Sequence, residues 1–234
     1  MPNLPLTETR RPKRQIRSFV RREGRITPAQ RKALAELWPR YGIEDNDALL
    51  DWALLFGPEK PLTIEIGFGD GQCLRQLANA NADMAYIGIE PHRSGAGRLL
   101  MSLQEDGLTN VKVLIDDAVD ILTTRIASQS VDEFLIFFPD PWPKKRHHKR
   151  RLVNADFLSS LARCLKPNGL IHITTDWEDY AKAIVDLIRA ESLLHNLSEH
   201  GISPRPTSRP ETKYERRGVR LGHQVYDIIA RRSP

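Results

Sequence analysis

The run Phe138-Pro139-Asp140-Pro141-Trp142-Pro143 places one carboxylate between two prolines, and the next eight residues, Lys144 to Arg151, bring six cations and two histidines. Proline on each side restricts the backbone around Asp140, so the acid is held in one loop conformation. The apolar residues before it, Val131–Phe138, read as a buried strand, which puts Asp140 at a strand end. An acid beside concentrated positive charge suits chemistry on a polyanion, and nucleic acid is the obvious class. A Lys/Arg-rich run on its own reads as a solvated loop or a localisation signal. The glycine loop upstream lifts this one above that.

That loop is Glu65-Ile66-Gly67-Phe68-Gly69-Asp70-Gly71. Glycines let a backbone turn tightly and approach a ligand. A dinucleotide loop wants a third glycine where Gln72 stands, and Glu65 would repel a pyrophosphate while attracting an amino-acid ammonium. Glu90 closes the second apolar run, where adenosine-binding folds place an acid against ribose hydroxyls. Asp116-Asp117-Ala118 closes the third; one aspartate is expected to cap the next helix and the other to face an adenine amino group. A glycine loop, a ribose acid and an adenine acid on three successive strands describe a site for S-adenosyl-L-methionine.

The elements that must position these groups alternate along the chain. Strands are expected at Leu62–Ile66, Ala85–Ile89, Val111–Ile115, Val131–Phe138 and Leu170–Thr175. Helices are expected at Gln72–Ala80, Arg93–Glu105, Ala118–Ala127, Ala155–Leu165 and Trp177–Ala190, the last with apolar residues at amphipathic spacing. Lys166-Pro167-Asn168-Gly169 should turn the chain into the fifth strand. Short β-rich runs at Leu193–Leu197 and Gln224–Ala230 should finish the sheet, across a loop from Ser203 to Gly222. Before the core, Thr27-Pro28 caps a helix carrying Leu34, Leu37 and Trp38, and a second short helix runs from about Asp47 to Phe56 and ends at Gly57-Pro58. The pattern is α/β: a doubly wound, mostly parallel sheet whose ligands bind outside the carboxyl ends of its strands.

Charge is unevenly placed. Residues 1–25 hold eight Lys/Arg against two acids, a net +6, and residues 140–151 hold six against one, a net +5. The rest of the chain is therefore acidic, since the whole is +5. Positive charge focused in this way attracts phosphates. The first segment reads as a flexible basic arm, and residues 26–234 as one domain, with N-terminal helices over 26–58 and a core over 60–232. No apolar run approaches the ~18 residues of a membrane span, and no secretory signal opens the chain. Two distant cysteines, Cys73 and Cys164, suit a reducing cytoplasm and supply no metal-ligand spacing.

With EIGFGDG, GIEPH, FPDPWPKKRHHKRR, TTDWEDY and SRPETKYERRG in this order, the chain resembles the tRNA (guanine-N7-)-methyltransferases over roughly residues 60–232. The proline-flanked acidic motif and Thr-Lys-Tyr-Glu carry most of the specificity. The resemblance implies a Rossmann-like fold of the class I methyltransferase type with an antiparallel strand at the C-terminal end. It implies methylation of N7 of guanine 46 in the tRNA variable loop, with S-adenosyl-L-methionine as cofactor; the sequence itself shows no metal site and no obligate partner protein, and leaves monomer and homodimer open. It implies cofactor contacts from Glu65, Gly67, Gly69, Glu90, Asp117, Ala118 and Asp140, the last also acting at the reacting centre. Lys144, Asp176, Thr212, Lys213, Tyr214 and Glu215 would hold the substrate, with Arg146, His147, His148, Lys149, Arg150 and Arg151 on the RNA. Asp70 departs from the family, in which a neutral residue is common. From spacing alone, Asp176 reads equally as the cap of the following helix, and Trp142 as a base-stacking ring or a core plug. Two other readings share part of the pattern: a nicotinamide-dependent oxidoreductase shares the fold, and a non-catalytic RNA-binding protein would explain the charge clusters.

Overall fold

The computed structural model describes residues 25–44, 46, 48–57 and 60–234. The expected basic arm lies outside these except for Arg25, as do Asp47 and Pro58, two of the residues expected to bound the second helix. Helix α1, Pro28–Tyr41, starts as its sequence dictates. Thr27 accepts from the Gln30 backbone at 3.2 Å, and the Gln30 side chain accepts from the Thr27 backbone at 2.8 Å. Such a reciprocal box satisfies two of the donors that a helix start leaves unpaired. Helix α2, Trp52–Phe56, is one turn capped by Asp51.

The core alternates as expected. Strands β1 (Leu62–Ile66), β2 (Ala85–Ile89), β3 (Val111–Leu114), β4 (Val131–Phe137) and β5 (Leu165–Thr175) are separated by helices α3 (Gln72–Ala80), α4 (Arg93–Glu105), α5 (Ala118–Thr124) and α6 (Ala155–Cys164). Helix α7 (Glu178–Ala190), strand β6 (Leu194–Asn196), helix α8 (Lys213–Arg220) and strand β7 (Tyr226–Arg232) complete it. The sheet order is β3-β2-β1-β4-β5-β7-β6, with β7 antiparallel to both neighbours and the first five strands parallel. Every residue of β1 and β2 is buried, as a parallel sheet covered on both faces requires. Ile64, Ile87, Phe134 and Ile173 pack under α5, α6 and α7, while Leu74, Leu99 and Leu103 cluster with Leu34 of α1 on another side.

The chain reverses direction of growth between β1 and β4, the adjacent pair from which the crossovers diverge. That reversal opens a crevice at the strand ends, and it sets the glycine loop after β1 beside the proline motif after β4. Three expectations change. The fifth strand begins at Leu165, which pairs with Val131, and Lys166–Gly169 form an irregularity inside it rather than a turn before it. Residues 145–150 form a 3-10 helix, and the expected loop from Ser203 to Gly222 contains α8. Among the described residues no helix is long and apolar enough to cross a membrane.

Candidate active site

Gly67 and Gly69 both adopt positive φ, 74° and 61°, which side chains rarely tolerate, and a Cβ on either would project into open space. The backbone thus presents itself bare to the crevice. Glu90 holds the loop: its Oε2 accepts from the Gly69 N–H at 3.0 Å and its Oε1 from the His92 N–H at 3.2 Å. Burial pushes this carboxyl up, opposed by those two donors and by His92, with Asp140 pushing further. It is a buried acid built into the loop, not a surface charge.

Glu65 sits deeper, sealed in β1 beneath the loop, and Ile66 is the β1 residue that lines the crevice. Its Oε2 is buried with no hydrogen-bond partner. Burial raises its carboxyl to about 8, helped by the charges of Asp70 and Glu90 and opposed by the Leu74 backbone N–H in the first turn of α3. Gly71, the residue that caps α3, has no side chain for that task, so Glu65 reaches the helix start from below. Asp117 takes both tasks that were divided between two aspartates: it caps α5 through the Val119 N–H at 3.1 Å, and it lines the crevice with Ala118. Asp116 accepts from the Asp117 N–H and faces a separate cleft beside Trp38.

The proline motif is strained and braced. Phe138 and Trp142 hold φ of 53° and 43°, a conformation costing on the order of 1–3 kcal/mol each for such side chains. The Phe138 N–H donates to Thr174 O at 2.7 Å. Behind the loop, the buried Arg151 donates Nε to Pro141 O at 2.8 Å and Nη2 to Asp179 Oδ2 at 2.7 Å, with its guanidinium 4.6 Å over the Tyr180 ring. It is buried and bonded to the fold, which separates it from the other expected RNA contacts. Asp140 is left exposed in the crevice mouth; desolvation still pushes its carboxyl up, against the pull of His92. Lys144 caps the 3-10 helix, and Lys145, Arg146, Lys149 and Arg150 on it are exposed. Desolvation and the surrounding cations, Arg146 first among them, push the His147 imidazole down. The Trp142 ring lies 4.9 Å from the Arg150 guanidinium and meets His147 edge-on at 5.9 Å.

Thr-Lys-Tyr-Glu starts α8, and its four residues divide. Thr212 caps the helix through the Glu215 N–H at 3.1 Å. Glu215 is buried against Arg209, at 2.7 and 2.8 Å, and Arg205, at 2.9 Å. Burial raises the Glu215 carboxyl, but these two guanidinium groups outweigh it and hold it below the usual range. Arg209 continues to Asp227 of β7, which also accepts from Thr174 and faces His172 at 2.7 Å. Between the two anchors, Lys213 and Tyr214 face the crevice. Lys213 Nζ lies 2.9 Å from Asp70 Oδ2, and Tyr214 stacks on Phe138 at 6.4 Å between ring centres. Asp176 is not a helix cap: Trp177 holds that position, and Thr175 Oγ1 takes the Trp177 N–H at 3.2 Å. Its Oδ2 meets His223 Nδ1 at 3.1 Å instead, against Gly218 of α8.

One cleft of about 640 Å³ therefore gathers Gly67, Gly69, Asp70, Glu90, Asp117, Ala118, Asp140, Lys213 and Tyr214. Its volume is that of a cofactor-sized site. Glu65, Asp176, Thr212, Glu215 and the 3-10 helix cations stand outside its wall. The four carboxylates in it, Asp70, Glu90, Asp117 and Asp140, suit a ligand with hydroxyls and positive charge, and disfavour a pyrophosphate. Among the described residues no cluster of His, Cys, Asp or Glu could hold a metal ion. Arg205, Arg209, His172 and Asp227 escaped the sequence reading, although a His inside Leu-Ile-His-Ile-Thr-Thr and an Asp inside Tyr-Asp-Ile-Ile-Ala signal a buried pair.

Residues 59–228 match a family described as "Putative methyltransferase". The chain is 47% identical over 223 residues to a tRNA (guanine-N(7)-)-methyltransferase of Alcanivorax borkumensis, covering 95% of this chain and 93% of that one. It is 48% identical over 222 residues to the protein of the same name from Nitrosospira multiformis, covering 95% and 96%. Its fold is similar to that of a 16S rRNA (adenine(1408)-N(1))-methyltransferase variant from Catenulisporales acidiphilia, solved with cosubstrate SAM, at a TM-score of 0.53 and 17% identity over 79% of this chain and 92% of that one.

Proposed function

The chain belongs to the tRNA (guanine-N7-)-methyltransferase family, and from that premise we propose that it moves a methyl group from S-adenosyl-L-methionine to N7 of guanine 46 in the tRNA variable loop, in the cytoplasm. The observation that carries this reading is the position of Asp140. It stands in the mouth of the cleft whose interior holds Glu90 and Asp117, and the cations of the 3-10 helix follow it directly in the chain.

The cleft suits the cofactor in three ways. Bare glycine backbone at Gly67 and Gly69 faces open space, Glu90 and Asp117 offer carboxylates to hydroxyl and amino groups, and the orphaned Oε2 of Glu65 lies beneath the loop. Glu90, Asp117 and Ala118 would hold the nucleoside end, and the glycine loop the amino-acid end, with Glu65 acting through the loop rather than at the wall. When bound, the cofactor supplies a methyl group on a cationic sulfur.

Guanine N7 is an acceptor lone pair without a proton, so no side chain has to remove one. Positive charge appears on the purine as the new bond forms. Asp140, at the cleft mouth on a loop braced by the Arg151 clamp, faces that charge without having to reorganise. Tyr214, stacked on Phe138, offers an aromatic ring beside it on which a base can lie. Lys144, the exposed 3-10 helix cations and Asp176 would serve the substrate, the cations meeting phosphates. The test is incubation with labelled cofactor and tRNA transcripts carrying guanine or adenine at position 46, followed by mapping of the label. Label confined to N7 of guanine 46 supports the reading, and label elsewhere, or none, overturns it.

A further inference from the structure

Beyond Lys213 and Tyr214, which line the cleft, helix α8 carries a face that the cleft does not use. Successive residues turn by about 100°, so Glu215 and Gly218 point one way while Lys213, Arg216, Arg217 and Arg220 share the opposite side. The inward pair is fixed: Glu215 is buried between Arg205 and Arg209, and Gly218 lies so close to Asp176 that an added Cβ would sit 2.9 Å from its Oδ2. The outward residues Lys213, Arg216, Arg217 and Arg220 are all exposed. Cations three and four residues apart on one face repel one another.

Other helices of the chain relieve their surface charge locally, with Lys32–Glu36 on α1 and Lys182–Glu178 and Arg189–Asp186 on α7. On α8 only the first half is relieved, Lys213 by Asp70 and Arg216 by Glu211. Among the described residues, Arg217 and Arg220 form no ion pair. The helix dipole favours cations in a last turn, but a row that begins at the cleft mouth with Lys213 and runs about 10 Å outward exceeds that need. Its spacing and sign fit a nucleic-acid backbone.

We propose that the outward face of α8, Arg216, Arg217 and Arg220, is a phosphate-binding track for the tRNA strand leading into the cleft, separate from the 3-10 helix cations. This rests on the tRNA reading above and adds a second RNA-contacting surface to it. Because the back of α8 is locked by buried ion pairs, the track is held in fixed relation to Tyr214 and Asp140.

The test measures tRNA affinity across a potassium chloride series for the full chain and for the Arg217→Gln/Arg220→Gln, Arg217→Lys/Arg220→Lys and Arg217→Glu/Arg220→Glu variants. Cofactor affinity by calorimetry serves as the control for folding. Two lost phosphate contacts flatten the log–log salt slope of the glutamine variant by ~1.4–1.8 and weaken binding about tenfold or more at low salt. The lysine variant keeps the wild-type slope, the glutamate variant binds more weakly than the glutamine variant, and the cofactor constant is the same in all four proteins. Parallel lines of equal affinity for wild type and the glutamine variant overturn the proposal. So does weakening confined to the glutamate variant, which would reveal a long-range field without contact. Absence of tRNA binding by the wild-type chain would overturn the underlying tRNA reading, and the track with it.

Discussion

Replacing Glu65 by Gln isolates the cost of an acid sealed beneath the glycine loop. Burial, then Asp70 and Glu90, raise its carboxyl from an ordinary 4.5 to about 8. At ~1.36 kcal/mol per unit, the displacement of about 3.5 units corresponds to about 5 kcal/mol between the protonated and ionised folded states. The sign follows from proton counting. Below pH 4.5 folded and unfolded chains both carry the proton, and the group adds no pH dependence. Between pH 4.5 and about 8 the unfolded chain releases the proton while the folded chain keeps it, so stability falls by up to ~1.4 kcal/mol per pH unit. Above about 8 both are ionised and the full cost is present. Glutamine has nearly the same shape and no charge. Denaturant unfolding of the cofactor-free chain should therefore give wild type and Glu65→Gln stabilities within ~1–2 kcal/mol at pH 5. At pH 8 the variant should be the more stable by about 3–5 kcal/mol. Stability curves that stay parallel from pH 5 to 9 would refute the burial argument.

Glu90→Ala removes the acceptor for the Gly69 and His92 N–H groups, and calorimetry should find cofactor binding weakened by ~1.5–3 kcal/mol in a folded protein. Asp140→Asn should lose most single-turnover methyl transfer while cofactor and tRNA affinities stay within a few fold. Because the Asp140 carboxyl is pushed up, the wild-type rate should fall on acidification above the ordinary carboxylate range, and that limb should be missing from the asparagine variant's residual rate. Asp70→Asn breaks a partly exposed ion pair and should change stability by less than about 1 kcal/mol. It should nevertheless speed cofactor dissociation in stopped-flow experiments, since Lys213 is no longer tied across the cleft mouth; an unchanged off-rate would detach that ion pair from cofactor exchange.

The parts of the fold legible in the sequence are those written in apolar residues. Strands β1 and β2 and helices α3 and α4 fall where unbroken or periodic apolar runs place them, because burial of those runs is what forms them. Helix α8 was hidden for the opposite reason. It buries a glutamate and a glycine and shows four cations to solvent, so its amphipathic character rests on ion pairs to Arg205 and Arg209 that lie outside any local pattern. The acids at strand ends were readable, since the topology brings successive strand ends to one crevice. Their division of labour was not. Asp117 combines capping with lining, Asp176 yields the cap position to Trp177, and Glu65 lies under the loop, all settled by a residue or two of register. Arg151 reads as one more cation in a basic run, and only the packing of α7 turns it into the clamp on Pro141.

Methyl transfer is proposed to need the bare lone pair at N7 and no base from the protein. The most direct measurement is single-turnover methylation of a tRNA carrying 7-deazaguanine at position 46, in which a C–H replaces N7 while the Watson–Crick edge is kept. The expected result is ordinary tRNA affinity, no methyl transfer, and, with normal guanine, a rate unchanged by a His147→Gln/His148→Gln variant across neutral pH once tRNA is saturating. Methyl transfer to the deaza-substituted tRNA, or a basic limb near neutral pH that disappears with the histidines, would contradict it.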